Sequence, residues 1–328
     1  MERSIVMPAL WNRRQFLRAT ATAAAAVPCA AGVLPAAEPA ASRAAGLTIG
    51  VSTLGFADST NSQLAKELSE QGIRTIQLFL SQKDSRYWKY NGRSDVSDLT
   101  AERCQAIAGV YRSAGISIHS LGVYTNLIHP DAAERAANLD YFEAMIKIAR
   151  AMDVRMLITE SGHFRSNEPE PPVPHHFQEE VWKTMVATGK ELARRAAAHD
   201  AVVLCEPFFR SFFASAKRTR VFLEEVDSPH LKALLDPANL IEINDLDEMF
   251  QQLQPWIECL HAKDRKLHVD RGVPAGQGDL DYERFVTLAA ERTPNAPLIL
   301  EYVGSQDYQQ ARAHLESAIR KAGLSVRS

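Results

Sequence analysis

Two textures alternate along this chain from residue 47 onward, and their period constrains the fold more than any other feature. Short apolar, β-branched runs stand at 47–53 (LTIGVST), 74–80 (RTIQLFL), 116–122 (ISIHSLG), 154–160 (VRMLITE), 201–206 (AVVLCE), 232–236 (KALLD), 257–263 (IECLHAK) and 297–303 (PLILEYV). A longer amphipathic stretch follows each, at 60–71, 97–114, 131–152, 176–199, 216–226, 245–254, 281–292 and 305–322. The short runs alternate only weakly, as strands buried on both faces of a parallel sheet do. Eight strand–helix units in ~280 residues are the arithmetic of one α/β domain, a single (β/α)8 barrel. It is expected to span 47–324, with a short tail at 325–328. A doubly wound sheet would have fewer strands, and Leu54-Gly55-Phe56-Ala57 after the first strand is no phosphate cradle. Asp58 or Ser59 is placed to cap the first helix and Asp279 or Asp281 to start the seventh. Gly72, Gly115 and Gly323 stand where the chain leaves helices.

The residues ahead of 47 do not share this period. Residues 12–18 read Asn-Arg-Arg-Gln-Phe-Leu-Arg, and an Ala-rich, weakly apolar stretch without an acid runs from Ala19 to Ala37. A basic segment, an apolar segment and small residues near a cleavage point are the layout of a signal peptide. Arg13-Arg14 followed by Gln15-Phe16-Leu17 resembles the twin-arginine export signal of bacteria. The expectation is a signal at 1–37, a linker at 38–46 and a periplasmic mature protein. The apolar segment falls short of the ~20 residues of a spanning helix, so no stable membrane association is expected after processing. Cutting near Ala37 leaves 33 Lys+Arg against 39 Asp+Glu, a formal charge of about −6. That balance gives no electrostatic grip on a nucleic-acid backbone. Cys104, Cys205 and Cys259 are widely spaced among apolar residues and read as buried free thiols.

Two strand-to-helix loops are long. Residues 81–96 carry Tyr87, Trp88 and Tyr90, and 161–175 carry Pro169, Pro171, Pro172 and Pro174. Both should rise from the C-terminal face, where barrel active sites sit. The aromatics there suit a lid, a subunit contact or a surface cluster. More informative are the polar residues directly behind four apolar runs. Strand five ends in Glu206, strand six in Asp236 and strand eight in Glu301, and strand seven runs into His261. Four such residues from adjacent strands converge on one small volume. Carboxylates that close repel one another unless a cation or protons compensate. Three carboxylates and an imidazole suit one divalent ion, Mn²⁺, Mg²⁺, Zn²⁺ or Co²⁺. At this point the alternative is a set of structural polar residues satisfied by neighbouring Arg and Lys.

Other polar residues take their readings from this geometry. Glu160 ends strand four ahead of Ser161-Gly162-His163 and is a candidate substrate contact, as are Trp88, Asn239 and Lys263. His119 in strand three either points into the mouth or fills the barrel interior. Lys263 also suits neutralising the carboxylates, and Asp264 suits orienting His261. His129 reads as a loop or cap residue, His175-His176 as a surface pair, and Arg265-Lys266 as solvated charge. Gly276 and Gly278 mark a tight turn before the seventh helix.

Five stretches carry a family resemblance: Leu204-Cys205-Glu206-Pro207, Leu235-Asp236-Pro237-Ala238-Asn239-Leu240, His261-Ala262-Lys263-Asp264, Gly276-Gln277-Gly278-Asp279-Leu280-Asp281-Tyr282 and Ile299-Leu300-Glu301-Tyr302. In order and spacing they resemble the xylose isomerase-like TIM-barrel superfamily, specifically its sugar phosphate isomerase/epimerase group. Each motif is short; the first half of the chain agrees only in strand period. The resemblance implies one divalent metal held by Glu206, Asp236, His261 and Glu301. It further implies that Glu206 and Glu301 flank a ketose or hydroxy-ketone and transfer protons at the carbon beside the carbonyl, and that a dimer or tetramer forms. Family epimerases often carry His three residues after the strand-six Asp, where this chain has Asn239, a poor acid or base. That departure leaves a keto-sugar lyase or hydratase open, since both begin with the same α-proton removal, and a non-catalytic periplasmic sugar-binding barrel beside them. Abasic-site endonucleases of the same superfamily have many more metal-binding histidines, and this chain has no Asp-x-His after His261.

Overall fold

The apolar runs fold as strands of one sheet. In a computed structural model that describes residues 46–164, 174–269 and 271–327, they are β1 (Ile49–Ser52), β2 (Thr75–Leu78), β3 (Ser117–Gly122), β4 (Met156–Thr159), β5 (Val202–Cys205), β6 (Leu231–Leu235), β7 (Ile257–Arg265) and β9 (Leu298–Leu300). The expected export signal, nearly all of the linker and most of the Pro-rich loop lie outside the described residues. Each strand pairs in parallel with the next, β6 pairs β7, and β9 pairs both β7 and β1, so the sheet closes on itself. Closure leaves the barrel no free edge, and parallel neighbours oblige each crossover to run through a helix.

Those helices are α1 (Asn61–Glu70), α2 (Ala101–Ser113), α3 (Ala132–Ala151), α4 (Glu179–Ala198), α5 (Ala216–Val226), α6 (Leu246–Leu253), α7 (Tyr282–Arg292) and α8 (Tyr308–Lys321). The eight units match the sequence reading to within a few residues at each boundary. Helix starts follow local hydrogen-bond chemistry. Thr60, rather than Asp58 or Ser59, caps α1: its hydroxyl accepts from the Gln63 N–H while Gln63 returns a bond to the Thr60 N–H. This reciprocal pair satisfies two donors at once, which a lone Ser59 or Asp58 side chain cannot. Asp281 caps α7 as expected. One strand escaped the sequence reading, β8 (Gly272–Pro274), antiparallel to the end of β7. It is three residues long and ends in proline, so no periodicity marks it.

Alternation along the strands positions the site. Ile158, Leu204, Leu234, Cys259 and Ile299 belong to one buried cluster with Phe79 and Tyr124. Two residues further along the same strands stand Glu160, Glu206, Asp236, His261 and Glu301. A period of two keeps each pair on one face. An apolar plug thus fills the barrel, and the polar set lies over it at the C-terminal mouth. Glu160, Glu206, Asp236 and Glu301 are each the first residue past their strand. Cys104, Cys205 and Cys259 are buried and free, as expected. Among the described residues no helix is long and apolar enough to cross a membrane.

Candidate metal centre

The four residues anticipated as ligands meet at the mouth. Glu206, Asp236, His261 and Glu301 each offer one ligand atom, all within 4.8 Å of one another, and all four residues are buried. His261 Nδ1 lies 3.3 Å from Glu206 Oε1, 3.4 Å from Glu301 Oε2 and 3.7 Å from Asp236 Oδ2. Local turns aim these groups. Asp236 Oδ1 accepts from the Asn239 N–H at 3.3 Å, capping a short turn that Pro237 opens, which leaves Oδ2 toward the cluster. The same turn brings Asn239 Nδ2 to Glu206 Oε1 at 3.0 Å. Tyr302, directly after Glu301, takes a φ of 57°, a left-handed backbone that a bulky residue rarely adopts and that costs on the order of 1–3 kcal/mol.

Whether this donor set fits a cation is decided at His261. Its Nε2 lies 2.7 Å from Gln77 Oε1, a contact that holds a proton on Nε2 and turns Nδ1 toward the carboxylates. Nδ1 faces three carboxylates, and the Lys263 ammonium stands beside two of them, Asp236 and Glu301. Three carboxylates and an imidazole nitrogen around one point call for positive charge between them, a proton on Nδ1 or a metal ion in its place. The residues fit a divalent ion. Burial pulls the His261 pKa down, yet the charges of Glu301 and Glu206 carry it up to about 10, the response of a site that attracts cations. Gln77 is the orienting partner that sequence reasoning assigned to Asp264. A buried Gln inside the apolar run RTIQLFL was the available signal. Asp264 instead accepts backbone N–H groups of Arg265, Leu280 and Gly276, holding the turn ahead of α7. A Gln77→Leu variant is expected to bind Mn²⁺ about 10–100-fold more weakly with an unchanged fold, measurable by calorimetric titration.

A second tier of groups surrounds the cluster. Lys263 Nζ lies 2.7 Å from Asp236 Oδ2 and 3.1 Å from Glu301 Oε2, and sits 4.5 Å from the Tyr302 ring centroid. It neutralises part of the acidic set. The extension of β7 against β8 carries it there, with Lys263 opposite Pro274, and Tyr282 donates to the Lys263 carbonyl at 2.9 Å. Tyr124, which sequence reasoning missed, donates to Glu206 Oε2 at 2.6 Å. Both Glu206 oxygens are therefore engaged by protein. Tyr90 donates to Glu160 Oε2 at 2.7 Å, and its hydroxyl lies 3.3 Å from His163 Nε2. Burial, then the charge of Glu206, pushes the Glu160 pKa up to about 8 against the Tyr90 hydrogen bond and Lys263. The aromatic loop covers this side: the Trp88 ring centroid stands 5.6 Å from Phe79 and 6.4 Å from Tyr90, with Tyr90 6.3 Å from Tyr124.

Other candidates fall elsewhere. His119 hydrogen-bonds to the backbone of Glu258 at the start of β7, on the N-terminal side of the barrel from the mouth, and burial pushes its pKa down to about 4. His129 is a loop residue whose Nδ1 accepts from the Asp131 N–H. His176 is not at the surface: it is buried, with Nε2 accepting from the Phe164 N–H at 3.4 Å. Arg265 is not solvated either; it is 2% exposed, its guanidinium 5.4 Å from the Phe208 ring and 5.2 Å from that of Phe209. The burial of Arg265 was not legible, because Phe208 and Phe209 come from a distant segment.

The model of the family described as the xylose isomerase-like TIM barrel matches residues 65–321. The chain belongs to that family. It is 21% identical over 273 residues to the L-ribulose-5-phosphate 3-epimerase UlaE of Escherichia coli, covering 80% of this chain and 90% of that protein. The D-psicose 3-epimerase of Clostridium cellulolyticum, solved with D-tagatose, superposes with a TM-score of 0.64 at 13% identity, over 84% of this chain and 98% of the other. The probable 3-DHS dehydratase AsbF of Bacillus anthracis superposes at 0.65 and 18% identity, over 84% and 99%. At these identities the superpositions establish the shared fold. An acidic and imidazole cluster in a xylose isomerase-like barrel supports a metal-dependent isomerase or epimerase mechanism.

Proposed function

We propose that this chain epimerises or isomerises an open-chain keto-sugar or small hydroxy-ketone. The observation that carries the reading is His261 Nδ1, turned by Gln77 toward three carboxylates at a barrel mouth. Glu206, Asp236, His261 and Glu301 hold one divalent ion, and Mn²⁺ suits a set of three oxygen donors and one nitrogen. When bound, the ion stabilises negative charge developing on the carbonyl and hydroxyl oxygens of the substrate. Glu301 removes the proton on the carbon beside the carbonyl; its contacts to His261 and Lys263 run through Oε2. Glu206 is fixed by hydrogen bonds from Tyr124 and Asn239 and would hold the ion with the other three residues. Asn239, Lys263 and Trp88 orient the substrate, with the aromatic loop excluding water. A mouth this rich in carboxylates repels a nucleic-acid backbone.

A lyase or hydratase is the second reading. Asn239 favours it: Asn serves to fix Glu206 and an adjacent hydroxyl but carries no proton between faces. The signal-like composition of residues 1–37 supports export to the periplasm, with processing proposed at the boundary with the linker 38–46.

The test uses protein purified without chelator or nickel. About one Mn, Mg, Zn or Co per chain by elemental mass spectrometry is expected, as a single four-ligand site requires. In D₂O the loaded protein should exchange the α-proton of D-tagatose, D-fructose or L-ribulose 5-phosphate, and chelation should abolish the exchange. A protein that takes up no divalent ion would sink the mechanism.

A further inference from the structure

Barrel closure decides which carboxylates face each other. Glu301 stands past the end of β9 and Glu160 past the end of β4. Around the sheet β9 reaches β4 through β1, β2 and β3 in one direction and through β7, β6 and β5 in the other. The two strands are diametrically opposed, so Glu160 is the mouth carboxylate directly across from Glu301. Glu206, just past β5, sits one strand off that diameter and belongs to the four-ligand set, where Tyr124 and Asn239 hold its two oxygens in place.

We propose that Glu160, bonded to Tyr90 and set beside His163, is a further catalytic residue: the proton carrier on the substrate face turned away from Glu301. The inference rests on the keto-sugar reading above. Glu160 is outside the four-ligand set, so its carboxyl group remains available to a substrate. Tyr90 fixes one oxygen, Oε2, and links it to His163 Nε2, itself half-buried. Tyr90 is 49% exposed, which gives the chain of groups contact with solvent for proton return. The raised proton affinity of Glu160 agrees with this placement.

In the forward step the α-carbon C–H bond breaks, the proton goes to Glu301, and the electron pair passes to the carbonyl oxygen as an enediolate. The Glu160 O–H bond then breaks and its proton forms a new C–H bond on the opposite face. The enediolate pair supplies that bond and the carbonyl reforms. Glu160 is left as carboxylate and Glu301 protonated; solvent exchanges the one proton for the other, through Tyr90 and His163 on the Glu160 side.

The experiment compares the Mn²⁺-loaded parent with Glu160→Gln, Glu160→Asp and Tyr90→Phe. D-tagatose, D-fructose and L-ribulose 5-phosphate in D₂O are the probes. Glu160→Gln should keep its metal and still exchange the α-proton, because Glu301 returns deuterium to the face it came from. Its epimer formation should fall about 100-fold or more in kcat with KM nearly unchanged, and Glu160→Asp should recover part of the loss. Tyr90→Phe, which keeps every carboxylate, should lower kcat by a smaller factor; it decides the matter if Glu160→Gln does not fold. Epimer formation within a few-fold of the parent overturns the assignment, as does a raised KM at unchanged kcat, which would make Glu160 an anchor for the aromatic loop. A parent that exchanges no α-proton with any probe overturns the keto-sugar reading and this inference with it. A parent that exchanges and epimerises beside an equally active Glu160→Gln overturns this inference alone.

Discussion

Replacing Glu206 and Glu301 together by Gln is expected to take the bound divalent metal from about one per chain to none, because two of four ligands lose their charge. Elemental mass spectrometry reads the change directly. The metal-free variant should nevertheless melt no lower than the metal-free parent. In the parent, Glu206, Asp236 and Glu301 crowd around His261 with Lys263 as the nearby ammonium. Burial raises the Glu301 pKa in spite of His261 and Lys263. Removing two carboxylates from such a set relieves repulsion and leaves Lys263 paired with Asp236. Adding Mn²⁺ separates the two proteins. The parent gains about 4 kcal/mol at a thousand times its Kd, and the variant gains nothing. A variant that still binds metal stoichiometrically would remove these residues from the site.

The second large effect is a competition between metal and proton at His261. Without a metal, the neighbouring charges hold the His261 pKa up at about 10 against burial. A proton occupies Nδ1 across the neutral range, and a divalent ion must displace it. Mn²⁺ binding at neutral pH is therefore expected to release about one proton, and affinity should rise roughly tenfold per pH unit until the His261 pKa is approached. Calorimetry in buffers of different ionisation enthalpy measures the release. Stability of the metal-free protein runs the other way. A histidine whose folded pKa lies above its unfolded value near 6.5 stabilises fully below about 6.5, and the contribution is lost as pH rises through about 10. Glu160, held up at about 8, acts in the same direction, since its protonated form is favoured in the fold. Opposite pH slopes for metal affinity and metal-free stability are the signature. An affinity independent of pH would show that no proton is displaced.

How much of this was legible in the sequence follows from the range of the forces involved. The eight strand–helix units were readable because burial on both faces of a parallel sheet makes each strand an apolar run, and the crossovers must be amphipathic helices. The candidate ligands were readable for the same reason: Glu206, Asp236 and Glu301 break apolar runs at the strand end, and His261 breaks one within β7. The free buried thiols were readable from their apolar flanks. Three groups were not. Gln77 reaches His261 across 184 positions, Tyr124 reaches Glu206 across 82, and Tyr90 reaches Glu160 across 70. Nothing in the local sequence of either partner encodes the other. Arg265 looks like surface charge until Phe208 and Phe209 lie against it, and His176 until its ring accepts the Phe164 N–H.

The sequence by itself determined the barrel and the ligand set, because both are written in spacing along one chain. Only the tertiary structure decided how those ligands are used. Closure of the sheet sets Glu160 across from Glu301. Contacts between distant strands turn His261 Nδ1 toward the cluster and hold both oxygens of Glu206 in place. Proton position and carboxylate availability depend on angles and distances of a few ångströms, and those exist only once the strands have closed into a ring.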